Sequence, residues 1–325
     1  MLQPQIWHAL SLVRFGLALI VAAGHLGHRT FEGAVDSNLA VRALASLGGH
    51  AAVISFLLIS GFSIAHSLRQ QPQGFVHRRL WRIYPVYVTC LLFTFAATVY
   101  TMDISATAEL STNGLMWLAH LMMLQGVTSE VVMANAPLWT LSLEWWFYML
   151  SPAFVKLTGR SMIAILGLLV LGFFSWIFVY RDFGFYSHVL GGLNLLFMGV
   201  FWVLGFLFYF YQGRPLSRVA LVFFVWVLTG INRESLGGNS QVTLAAGCAG
   251  LIAGQWIQWP RKLVPLVKLM GDVSFPLYAL HLPFYMFAIK HFHFSNGALL
   301  LASSVALAVF VHLLVERPVR LLGRR

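Results

Sequence analysis

Residues 13–28 read VRFGLALIVAAGHLGH. Arg14 opens an apolar run, and His25 follows eleven positions later. Apolar blocks of roughly twenty residues, long enough to cross a hydrocarbon core of ~30 Å, recur along the chain. Composition agrees: of 325 residues, 59% are hydrophobic and 10% charged, against roughly 25% charged in soluble domains. The expected fold class is all-α, a polytopic integral membrane protein. The short alternating segments of a β-barrel do not occur.

The net charge of +11 does not point to nucleic acid, because the basic residues fall at the ends of apolar blocks. Cys90 and Cys248 lie inside such blocks and suggest neither a disulfide framework nor a metal site. The first apolar stretch lacks a small-residue cleavage site and reads as a retained helix.

Working outward gives about ten spans: 8–27, 44–66, 83–101, 137–155, 161–180, 188–211, 218–234, 242–258, 270–290 and 297–316. With both termini cytoplasmic, sixteen basic residues fall inside and five outside, together the chain's twenty-one. The opposite orientation would invert the positive-inside bias. One long extracytoplasmic loop remains, about 102–136. Its patch Leu115–Gly126 is too short to span and reads as a re-entrant or interfacial helix. The chain, 1–325, reads as a single membrane domain with no appended soluble domain.

Eleven residues at 100° each make three turns plus about 20°, so Arg14 and His25 share a helix face about 16 Å apart along the axis. Ionisable groups at membrane depth are costly and usually face an interior cavity. Snorkelling of Arg14 and an interfacial His25 account for the same spacing. His28, one turn on, competes with His25.

Three further stretches carry chemistry. In FVHRRLWRIYP, 75–85, Arg79 and Arg82 are i,i+3 neighbours, with Arg78 and His77 beside them. Positive-inside anchoring accounts for this cluster alone; the functional reading is a phosphate cradle, since the planar arginine fork suits phosphate. In PLWTLSLEWWFYMLSP, 137–152, Glu144 lies two turns into a span with no basic neighbour in sequence. A lone buried carboxylate needs a partner, and its depth makes His25 a candidate. Trp139, Trp145, Trp146 and Tyr148 read as aromatic-belt and packing residues. In GDVSFPLYALHLPFY, 271–285, Ser274, Tyr278 and His281 share a face. They either line a polar cavity or pack as a hydrogen-bonded set. Pro276 and Pro283 free backbone carbonyls and predict a kink. ISGF, 59–62, suggests close helix packing. Glu316, in ERP at 316–318, reads as a structural partner for a nearby arginine.

Each cluster is ambiguous alone; their order is not. Arg14–His25 resembles the R-x10-H signature of the membrane acyltransferase-3 family. GHAAVISFLLISGF is similar to its second-helix motif, RRLWRIYP to its basic motif, LWTLSLEWWFYMLSP to its WSLxxE-type motif and GDVSFPLYALHLP to its GxxSYxxYLxHxP-type motif. The resemblance covers roughly 10–318. Thr140 departs from the usual serine and Phe275 from tyrosine.

The resemblance implies a single-domain, O-acetyltransferase-like enzyme of the cell inner membrane. It would move an acyl group from cytoplasmic acyl-CoA, often acetyl-CoA, to a hydroxyl of a lipid-linked or surface polysaccharide, another glycan or a small molecule. The cofactor contacts would be Arg14, Arg78, Arg79 and Arg82. His25 would be general base or acyl-imidazole nucleophile, oriented by Glu144. Ser142, Trp139, Tyr278 and His281 would contact substrate. No metal is expected, for want of a compact ligand set. The rival class is a transporter or flippase for a glycolipid or anionic solute, to which intramembrane Arg, His and Glu are equally suited. A non-catalytic sensor or scaffold is the third reading.

Overall fold

The computed structural model of the protein describes residues 3–27, 31, 33–101, 114–180, 193–230, 236 and 238–322. Their regular structure is helical, with two isolated bridges, Asp36–Asn296 and Gln125–Ser129. The helices are α1 (Gln5–Leu26), α2 (Leu39–Ala45), α3 (Gly49–Gln70), α4 (Phe75–Thr101), α5 (Gly114–Leu121), α6 (Leu138–Phe154) and α7 (Gly159–Tyr180). There follow α8 (Leu193–Tyr211), α9 (Pro215–Gly230), α10 (Ser240–Ala253), α11 (Val264–Phe292), α12 (Gly297–Val311), a π-turn (His312–Glu316) and α13 (Arg317–Leu322). Every apolar block read from sequence overlaps a helix. Four segments are long and apolar enough to cross a membrane by length and composition: Gln5–Leu26, Gly49–Gln70, Phe75–Tyr100 and Gly297–Leu321.

Boundaries move where polar residues join a helix. The fourth helix starts at Phe75 rather than near 83, which puts the basic cluster on its first turns. The helix expected within Leu115–Gly126 forms over Gly114–Leu121; residues 102–113 of the long loop lie outside those described. The segment after it packs inward, and side chains satisfy its backbone. His120 accepts from Val132 N at 3.2 Å, and Trp146 Nε1 donates to Met123 O at 2.8 Å.

Small residues set the helix spacing, as ISGF suggests. A Cβ on Gly61 would lie 2.0 Å from Trp202 O, and one on Gly205 2.0 Å from Leu58 O. These are mutual close approaches of α3 and α8. Gly271 sits likewise against Ser11, where a Cβ would come within 2.5 Å. That contact and the one between His25 and His281 make α1 and α11 a parallel pair.

The helix α11 runs through both prolines without ending. Pro283 has no N–H for the carbonyl of Ala279, four residues back. Asn135 Nδ2 donates to that carbonyl at 2.9 Å. Pro152 leaves the Tyr148 carbonyl in the same position, and Ser151 Oγ donates to it at 2.8 Å.

Candidate functional site

A cavity of about 530 Å³ opens between α1, α3, α4, α6 and α11. Helix α1 contributes Trp7, Ser11 and Arg14, and α4 contributes Arg79, Arg82 and Ile83. Glu144, Tyr148 and Thr140 come from α6, Asp272, Ser274 and Tyr278 from α11, and Glu316 and Arg320 from the chain's last turns. The α3 wall is a polar stripe, Ser60, Ser63 and Ser67 at helical spacing. That spacing is visible in the sequence, although ISGF by itself points only to packing.

Three arginines converge here from two helices. Arg14 Nη2 donates to Ser63 Oγ at 3.3 Å, while its Nε is buried without a partner among the described residues. The Arg79 guanidinium lies 5.3 Å from the Phe75 ring centroid and 5.7 Å from that of Tyr148, within cation–π range. Arg82 is within electrostatic reach of both. Among the described residues none of the three makes an ion pair.

Arg320 behaves differently. Its Nη1 donates to Asp272 Oδ1 at 2.8 Å and its Nη2 to Glu316 Oε1; His312 Nδ1 lies 2.7 Å from the other Glu316 oxygen. Glu316 thus has the arginine partner the sequence suggested. Asp272 and His312 were not singled out, since nothing local marks them. The π-turn His312–Glu316 aims this set inward.

Glu144 stands with the arginines rather than with His25. It accepts from Ser60 Oγ at 2.5 Å and from the Tyr148 hydroxyl. Trp202 Nε1 supports Ser60 at 3.3 Å. Glu144 Oε1 is thus held by Ser60 and Tyr148, whereas the sequence alone suggests His25 as its partner; depth counted from span ends is too coarse to separate these neighbours.

His25 meets His281, whose Nε2 lies 3.2 Å from His25 Nδ1. His25 Nδ1 also lies 2.9 Å from Val21 O, and His281 Nδ1 lies 3.2 Å from Leu277 O. A carbonyl only accepts, so both Nδ1 atoms carry hydrogen. The fully buried His281 then offers its Nε2 lone pair to His25 Nδ1–H. In neutral His25 the remaining lone pair is on Nε2. His28 lies outside the described residues.

The histidine pair lies just past the cavity's inner wall. Tyr278 belongs to that wall, and its ring centroid is 6.1 Å from that of His281. The Tyr278 hydroxyl is 2.7 Å from Thr140 Oγ1 and donates to Pro137 O at 3.3 Å. Thr140 thus keeps the hydroxyl a serine would supply. The face Ser274–Tyr278–His281 is divided: the first two line the cavity, the third holds His25.

Three further expected site residues stand apart from the cavity wall. Arg78 turns away from the cavity and donates to the carbonyls of Gln71 and Gln73, closing the turn between α3 and α4. Ser142 is fully buried and donates to Gln125 O and Trp139 O, fastening α6 to the preceding segment. Trp139 is buried beside it in the hydrophobic core, not on the cavity wall.

A family model described as an acyltransferase domain matches residues 7–317 of the chain. No curated protein and no solved structure matches it.

Proposed function

This chain belongs to the acyltransferase-3 family, and from that membership we propose that it moves an acyl group, acetyl in the first instance, from acyl-CoA to a hydroxyl of a carbohydrate. Residues 1–325 act as one domain of the inner membrane, crossing it about ten times with both termini in the cytoplasm. The acceptor is a lipid-linked or surface polysaccharide presented from the other side.

One observation carries the reading: three arginines that make no ion pair among the described residues share a cavity whose inner wall backs onto the His25–His281 pair. A donor with a polyanionic end and a thioester end fits that polarity. Its phosphates take Arg14, Arg79 and Arg82, where guanidinium forks give charge-assisted hydrogen bonds. The buried Nε of Arg14 gains a partner in the same step. The pantetheine arm follows the α1 face inward.

His25 Nε2 takes the proton of the acceptor hydroxyl as its oxygen attacks the thioester carbon. The C–S bond breaks, an ester forms, and the imidazolium returns the proton to the departing thiolate. General base catalysis of this kind supplies typically about 10²–10⁴-fold. His281 is a positioning residue: together with the Val21 carbonyl it holds the ring of His25 in the tautomer whose Nε2 is basic.

The test incubates purified protein with acetyl-CoA labelled in the acetyl group and with candidate glycans. Transfer of label, with release of free CoA, supports the reading. Movement of solute with the thioester intact would make the protein a transporter. Mass spectrometry of envelope glycans with and without the gene then identifies the acceptor.

A further inference from the structure

Trp7 stands seven residues before Arg14 on α1, and His25 stands eleven after it. Seven residues turn a helix through about 700° and eleven through about 1100°, so each step departs from whole turns by about 20°, in opposite senses. Trp7 and His25 therefore lie on one line along the helix, with Arg14 close beside it. Each α1 residue facing the cavity, Trp7, Ser11 and Arg14, belongs to this stripe. The rise is about 10 Å from Trp7 to Arg14 and about 16 Å from Arg14 to His25. One helix face thus carries, in order, a flat aromatic ring, a guanidinium and an imidazole.

The Trp7 end has its own chemistry. The Trp7 ring is partly exposed, with its centroid 4.7 Å from that of His66 and 6.2 Å from that of Phe62. The Tyr209 hydroxyl steadies His66 at Nδ1, 3.3 Å away. Beside these rings the cavity wall continues through Ser67 to Gln70 and Gln71, both exposed. Carboxamides offer donors and acceptors together, which suits the mixed edge of a nucleobase, and aromatic faces stack on any base. Neither a phosphate nor a pantetheine arm needs such a wall.

We propose that Trp7, with His66, Gln70 and Gln71, forms a subsite for the purine base of a nucleotide-linked thioester donor. The proposal rests on the donor reading above and extends it. The order along α1 is then base, phosphate, thioester, which is the order of these groups in acyl-CoA.

Binding of CoA and of 4′-phosphopantetheine, measured calorimetrically on the full chain in detergent, tests this without an acceptor. Trp7→Leu keeps an apolar contact for Phe62 and removes the large aromatic face. It should weaken CoA binding about 5–150-fold, the range for losing a base–aromatic stack, and leave 4′-phosphopantetheine within about twofold. Trp7→Phe should retain most CoA affinity. Equal weakening of both ligands, or of neither, would overturn the base subsite while leaving the donor reading intact. Failure of the unaltered protein to bind either ligand would sink both. Should Trp7→Leu not fold, photolabelling of the unaltered protein with 8-azido-CoA decides. Label at Trp7 or within residues 66–71 supports the subsite, and label only elsewhere refutes it.

Discussion

His281 Nε2 faces His25 Nδ1 across 3.2 Å, from a helix 256 residues further along the chain. The contact makes a buried imidazole a second acceptor, beside the Val21 carbonyl, for the His25 Nδ1 hydrogen, which leaves the other lone pair of His25 on Nε2. His25→Ala should lower transfer about 10²–10⁴-fold, the usual worth of a general base. His281→Phe should lower kcat at least about tenfold with the KM for acetyl-CoA unmoved, since it acts only through the base. His281→Gln, whose side-chain oxygen can accept the same hydrogen, should recover part of the rate and restore the pH profile. Loss of rate in His281→Gln equal to that in His281→Phe would make the contact mere packing.

Arg78 and Arg79 are adjacent in sequence and do opposite things in space. Arg79 stacks on Phe75 and Tyr148 inside the cavity, and Arg78 closes the turn before α4. Arg79→Ala should weaken CoA binding by at least about tenfold, as expected for losing hydrogen bonds to a charged group. Arg78→Ala should leave binding within about twofold and lower the thermal midpoint instead, through lost caps on two carbonyls. Calorimetry and thermal unfolding in detergent, run on both variants, separate the roles. A reversed pattern would move the phosphate site to the turn.

The Tyr278 hydroxyl is engaged by Thr140 and the Pro137 carbonyl. Tyr278→Phe keeps the ring between cavity and histidines and should cost less than about tenfold in kcat. Removing an oxyanion donor costs about 10²–10³-fold, so a loss of that size would instead assign the hydroxyl to catalysis.

Gly61 has no room for a side chain, because a Cβ would stand 2.0 Å from the Trp202 carbonyl. That obstacle is backbone and cannot rotate away. Gly61→Ala should therefore force α3 from α8 and destabilise the protein by at least about 1–3 kcal/mol, the cost of overpacking a core. Ser60 would lose register with Glu144 in the same movement. Unfolding in detergent measures the first effect, and CoA affinity reports the second.

Periodicity made the helices legible, and angular arithmetic put Arg14 and His25 on one face before any neighbour was known. Packing between glycines was also readable, since ISGF has no other use for Gly61. Partners across helices were not. Glu144 and His25 carry no local mark of which helix they meet, and depth counted from uncertain span ends is good only to a turn or two. His281 was visible as a polar residue on the Tyr278 face, yet only the parallel pairing of α1 with α11 brings it to His25. Arg78, Arg79 and Arg82 illustrate the same limit within one helix: residue type suggested three phosphate ligands, and the turn between α3 and α4 claims one of them.

Glu144→Gln tests the revised place of that carboxylate. Glu144 accepts from Ser60 and Tyr148 and lies within electrostatic reach of Arg14 and Arg79. Glutamine keeps the shape and one acceptor oxygen but removes the negative charge beside the arginines. Less counter-charge leaves the cavity more positive, so CoA should bind at least as tightly and with a steeper dependence on salt. With the Val21 carbonyl and His281 as the acceptors at His25 Nδ1, the pH profile of kcat should keep its shape. A carboxylate that oriented His25 would give the reverse, with kcat falling, the profile moving and donor affinity unchanged. Initial rates over a range of pH, together with calorimetry at two salt concentrations, distinguish the two outcomes.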